Sequence, residues 1–201
     1  EALRLYERAL VLRDAPDARS NTPWIQQELA RAFSNVGLAR AMNGQHEEGL
    51  RALERGRAMR EALLQAQPLN SAFRSDLARS FFHLARYHLI VGAPAQARAA
   101  IDQAEANYQG VPPKGPDDVY FQGCLLALRS ELIGDGKPTE QLAPDDRNER
   151  RRLGDQAIEH LRRAIDMGFR NTSRYQSDRA LDSLRDRSDF RALVASITPV
   201  D

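Results

Sequence analysis

Cysteine is almost missing from this chain. Cys124 is the only one, which excludes an intrachain disulfide and a multi-cysteine zinc site. A lone thiol fits a reducing cytosol, and the expected location is cytoplasmic. No run of about 18 apolar residues occurs, so no membrane-spanning helix is expected. No secretory leader is legible. Strand-favouring runs of Val, Ile and Thr are nearly absent. Charge of one sign is lacking too: 29 Lys and Arg stand against 28 Asp and Glu, for a net charge of +1, and the two signs are interleaved. A nucleic-acid binder concentrates positive charge on one face, so no nucleic-acid partner is expected.

What remains is 42% apolar and rich in Ala, Arg, Leu, Glu and Gln. These residues lose little freedom in a helix, and the expected class is all-α. Within that helical background a pattern recurs. Phe81, Leu84-Ala85, His88, Gly92, Ala97, Ile101 and Ala104 follow one another at the spacing of a helix, a glycine turn and a second helix. A shift of 48 residues gives Phe33, Val36-Gly37, Arg40, Gly44, Gly49, Leu53 and Gly56. Recurrence at such a period points to stacked supersecondary units. Gly37, Gly49, Ala85 and Ala97 let paired helices approach closely, and Phe33, Leu53, Phe81 and Ile101 fill the remaining space.

Taken in order, residues Glu1 to about Arg13 form a lone second helix, a half repeat over 1–14. The chain opens already inside this helical pattern, so it is expected to be a piece of a longer protein. One repeat spans 22–66: Thr22 caps a helix with Pro23 at its first position, and Asn43-Gly44 ends it before a second helix over 46–66. The next repeat spans 72–108, with its turn at Gly92. A degenerate fourth unit spans 110–168. In it Tyr120, Gly123-Cys124 and Ala127 match a first helix, and Ala157, Leu161 and Ala164 match a second. An inserted loop over 134–148, rich in Gly, Pro and Asp, separates the two and is expected to be mobile. The segment 169–201 reads as a helical cap, with short runs starting at Ser177-Asp178 and Ser188-Asp189.

This unit resembles the tetratricopeptide repeat. The likeness implies a right-handed solenoid of helical hairpins with a short helical C-terminal cap. Arg40 and His88 stand where that family has Tyr. The phrase RSDLARS at Arg74–Ser80, the segment YFQGCLLAL at Tyr120–Leu128, and the closing AIEHLRRAIDMG and SDRALDSLRDRSDFRALV stretches resemble the C-terminal repeat regions of planctomycete-type bacterial serine/threonine kinases. The kinase motifs themselves are absent: no Gly-rich loop, no HRD-type loop and no DFG. Any kinase activity would lie in a domain outside this chain, which is expected not to be an enzyme.

The resemblance implies a concave face lined by first helices, where many relatives bind an extended or helical peptide. By helical spacing, that face takes Arg31, Ser34, Asn35 and Leu38 from one unit, Arg79, Phe82, His83 and Arg86 from the next, and Phe121, Gln122 and Leu125 from the last. A basic and aromatic lining suits a protein or peptide with acidic and apolar side chains. Some family members hold a terminal carboxylate in a Lys/Asn/Arg clamp. Here only Asn35 and Arg79 match, and His83 replaces an Arg, so that clamp is not supported. The four histidines are His46, His83, His88 and His160. His83 and His88 are five apart rather than at the i, i+4 spacing of a helical metal pair, so neither metal nor cofactor is expected. His88 reads as a packing residue and Cys124 as a small buried one. The run Arg147–Arg152, RNERRR, opposes the dipole of a helix start. It reads as a solvated face flanked by Asp145, Asp146 and Glu149, with an anion-binding surface as the alternative.

The expected function is a protein–protein interaction scaffold, the regulatory tail of a signalling protein. The alternatives are a homodimerisation module, carried by uncovered Leu3, Leu5, Leu10 and Leu12, and a structural spacer without a ligand.

Overall fold

A computed structural model describes residues 22–134 and 137–197. The half repeat over 1–14, and with it the leucine stripe behind the dimerisation reading, lies outside the described residues. All regular structure among the described residues is helical. The chain divides into two compact units that part between Pro112 and Pro113.

The first unit holds α1 (Pro23–Met42), α2 (His46–Ala66), α3 (Ser71–Ile90) and α4 (Pro94–Tyr108). Proline opens α1 and α4, where a missing N–H costs nothing. Asn70 caps α3 by accepting from the backbone N–H groups of Ala72 and Phe73, at 3.0 and 3.4 Å. Gly44 turns α1 into α2 at a φ of +80°, a conformation that L side chains avoid. The α1–α2 hairpin is antiparallel, and glycines set its spacing. A Cβ on Gly37 would stand 2.7 Å from the carbonyl oxygen of Gly49, and one on Gly56 would stand 2.8 Å from that of Ala30. In the α3–α4 hairpin fully buried Ala85, Ala97 and Ala104 take the corresponding places. Its antiparallel course shows in Arg74, at the start of α3, which donates to the carbonyls of Ala106 and Gln109 at the end of α4.

Helix α3 packs against α1 and α2 as well as α4, so its buried arc is wide. This exchanges the expected places of two neighbours. Phe81 is half-buried under the Arg57 guanidinium, 6.0 Å from the ring centre. Phe82 is 0% exposed. Consecutive helical side chains point about 100° apart, and a helix contacted from three directions buries the one that a single-seam reading places outside.

The second unit pairs α5 (Pro116–Leu132) with α6 (Pro144–Asp166). Gly123 sits where a Cβ would stand 3.0 Å from Leu161 and 3.1 Å from the carbonyl of Ala157. The loop expected over 134–148 is shorter than its composition suggests. A 3-10 turn occupies Thr139–Gln141, and α6 begins at Pro144 with Asp145 and Asp146 in its first turn, where they face the positive end of the helix dipole. The tail then forms α7 (Thr172–Ser177), a 3-10 turn over Arg179–Leu184, and α8 (Ser188–Ala195). It lies on the α5–α6 hairpin and buries Tyr175, Leu181, Leu184 and Phe190.

Tyr120 and Tyr175 meet edge to face at 5.2 Å between ring centres. The Tyr120 hydroxyl bonds to Asp178 at 3.1 Å, and that of Tyr175 donates to the carbonyl of Phe169 at 3.1 Å. Burial, with Cys124 and, for Tyr120, Asp178 adding to it, raises both phenols well above their ordinary value. A phenol titrates near 10 when unfolded. The stability linked to these groups is therefore intact below about pH 10 and falls as the pH rises beyond it, by about 1.4 kcal/mol per pH unit for each tyrosine. Urea unfolding between pH 9 and 11.5 will show this slope, and it will be shallower in Tyr120→Phe. An unchanged slope in that variant would mean that the phenol is not protected by the fold.

Candidate functional site

The first unit brings two of the three expected groups of lining residues onto neighbouring helices. Helices α1 and α3 touch, and the Gln27 side chain donates to Asp76 across them at 2.8 Å. Of the α1 set, Arg31 is exposed and paired with Glu28, and Asn35 is half-buried. Ser34 is buried and donates to the Ala30 carbonyl at 2.9 Å. Of the α3 set, Arg79 and Arg86 are half-buried. His83 is buried beside Phe82, with ring centres 5.5 Å apart. Arg86 lies over the Phe82 ring at 5.6 Å. In the second unit Gln122 is half-buried, and Phe121 is buried with Arg174 over its ring at 5.7 Å.

Burial corrects the expected lining. Leu38, Phe82, Phe121 and Leu125 are all core residues. Their apolar surface stabilises the hairpins and leaves nothing to offer a partner's apolar side chains. The accessible members of the set are polar: Arg31, Asn35, Arg79, Arg86 and Gln122.

One residue that helical spacing over first helices passed over is central. Arg60, on the second helix α2, is 3% exposed. Its Nη1 donates to Ser80 Oγ at 2.7 Å and to Ser34 Oγ at 3.3 Å, tying α2 to α3 and α1. Its Nε is buried with no hydrogen-bond partner, and among the described residues it forms no ion pair. Burial lowers its pKa to about 10; Asp76 opposes that shift, while Arg79 and Arg31 add to it. The guanidinium thus remains charged at neutral pH in a site that supplies neutral oxygens at bonding distance, one more distant carboxylate, Asp76, and two like charges. A buried ion of this kind carries a desolvation penalty of several kcal/mol. A signal for it exists in the sequence. Gly49, Ala52, Leu53, Gly56 and Arg60 all lie on the buried stripe of α2, and Arg60 is the one charge on it.

His88 is half-buried against Tyr87, with ring centres 5.3 Å apart, and burial lowers its pKa against the pull of Glu54. Cys124 is buried. Among the described residues no three His, Cys, Asp or Glu side chains gather as a metal site, and no helix is long and apolar enough to cross a membrane. Comparison with family models, curated proteins and solved structures finds no match for this chain.

Proposed function

We propose that this chain is a protein-interaction module of tetratricopeptide-like hairpins, arranged as a right-handed solenoid with a helical cap, and that the α1–α3 face of its first unit binds an acidic segment of a partner protein. The observation that carries this reading is Arg60, a buried cation that forms no direct ion pair among the described residues and feels Arg79 and Arg31 as well as Asp76. A carboxylate laid across Arg31 and Arg79 would add to Glu28 and Asp76 in offsetting the repulsion among the three guanidinium groups. Such charge-assisted bonds are about twice as strong as neutral ones. The resemblance to kinase-linked repeat regions supports placing the module in a bacterial signalling protein, with any catalysis outside this chain.

The test is fluorescence anisotropy with a labelled Glu/Ser peptide. Binding will be saturable and will weaken between 50 and 500 mM salt, values chosen to span roughly a threefold change in screening length. Arg79→Glu/Arg86→Glu will lower the affinity at least about tenfold with helicity unchanged by circular dichroism. An affinity unchanged in the double variant would remove the reading.

A further inference from the structure

The basic run at the start of α6 acquires a second wall in three dimensions. Arg147, Arg150, Arg151 and Gly154 lie on one face of the helix and line a cavity of about 360 Å³ in the second unit. Arg152, the other arginine of that stretch, turns away and pairs with Glu149 at 2.6 Å. The opposite wall is brought in from the tail: Arg187, just before α8, reaches across Gly154. A Cβ at position 154 would meet the tip of the Arg187 guanidinium, which would have to shift to make room for it. Thr139 closes one side.

The charges at this cavity are unequally satisfied. Arg187 is neutralised by Asp155 and Asp189. Arg150 bonds to neutral groups, the Thr139 hydroxyl at 3.2 Å and the Ile133 carbonyl at 2.6 Å, and its Nε is buried without a partner. Glu131 stands near enough to Arg150 to feel its charge. Arg147 and Arg151 are exposed and form no ion pair among the described residues. Two guanidinium groups without an ion pair therefore border a concavity that a third, held by Thr139 and the Ile133 carbonyl, already lines, with Asp155, the partner of Arg187, as the carboxylate in its wall.

From this geometry we propose that the cavity is a binding site for the phosphate group of a small phosphorylated molecule. Guanidinium groups match phosphate oxygens with paired N–H donors. A dianion takes up the positive charge of Arg147 and Arg151 together, which a single carboxylate would not. The volume falls in the range of small-molecule sites and exceeds what phosphate alone would fill, so the ligand carries an organic body.

Isothermal titration of the whole chain with inorganic phosphate, with a hexose 6-phosphate and with the unphosphorylated hexose tests this at low ionic strength. The hexose phosphate will bind saturably with a Kd below about 1 mM, and the bare hexose will not bind. A free phosphate that binds as tightly as the ester would identify inorganic phosphate as the ligand of the same site. Arg147→Glu/Arg151→Glu will weaken binding at least about tenfold, and Gly154→Ala, which only shifts the tip of the already paired Arg187, will weaken it less than the double variant does. Neither change will alter acidic-peptide binding by the first unit. No saturable binding of either phosphate up to about 10 mM, or binding unaffected by the double variant, would overturn the proposal.

Discussion

Valine at Gly37 will destabilise the first unit by about 3 kcal/mol or more, toward the upper end of what overpacking costs. The reason is what stands opposite. A Cβ there would meet a backbone oxygen, that of Gly49, at 2.7 Å, with the Leu53 side chain equally near and the Leu53 backbone nitrogen at 2.9 Å. A flexible side chain could swing away, but the backbone of α2 cannot move unless the two helices separate. Separation would in turn uncover Leu53, Phe33 and Val36, all buried in this hairpin. Against a total stability of about 5–15 kcal/mol for a domain, the loss is large. Thermal unfolding followed by circular dichroism will show a midpoint lower by more than about 10 °C. Gly44→Ala is the companion measurement. Nothing lies within 4 Å of a Cβ there, and only the positive φ resists it, so its cost will be about 1 kcal/mol. Equal losses in the two variants would show that helix approach at Gly37 is not what limits the hairpin.

Methionine at Arg60 will stabilise the protein while weakening its hold on an acidic partner. The guanidinium gains one good and one long hydrogen bond from serine oxygens, and a bond to a charged group is worth about 1.5–3 kcal/mol. It opposes these with desolvation of a whole charge, the largest effect, and with repulsion from Arg79 and Arg31, against which Asp76 acts. Replacing a buried ion pair or triad with apolar residues of similar volume is often neutral or stabilising by about 1–4 kcal/mol, and an ion without a direct pair has less attraction to lose. Methionine keeps much of the length and flexibility of the arginine stem. Urea unfolding will therefore give a higher midpoint with an unchanged slope, and the Glu/Ser peptide will bind at least about tenfold less tightly. A variant that is less stable and binds as before would make Arg60 a structural tie between α1, α2 and α3, and would take away the support that it lends to an acidic ligand.

Both expectations rest on features that differ in how readable they were. Gly37 and Gly49 were legible as close-contact positions because their spacing repeats in Ala85 and Ala97. Arg60 was not, because the family likeness directs attention to first helices. Its position on the buried stripe of α2 was nonetheless open to inspection. The tail shows the same division. The helical start at Ser188 followed from local chemistry, whereas α7 did not, since its six residues are too few to carry a period. The turn of helix from Pro144 was hidden inside a stretch whose proline and aspartates resemble a loop, although those residues also favour the first turn of a helix.

The sequence by itself determined the helical class, most helix limits and the glycine turns. Those depend on neighbours within about four residues, where backbone propensity, capping and proline geometry act. Only the tertiary structure decided which of Phe81 and Phe82 is core, that the expected apolar lining of the candidate face is buried, and that Arg187 joins Arg147, Arg150 and Arg151 around one cavity. Each of these depends on the distance between side chains far apart in the chain. Burial and electrostatic interaction change steeply with such distances, and no local pattern encodes them.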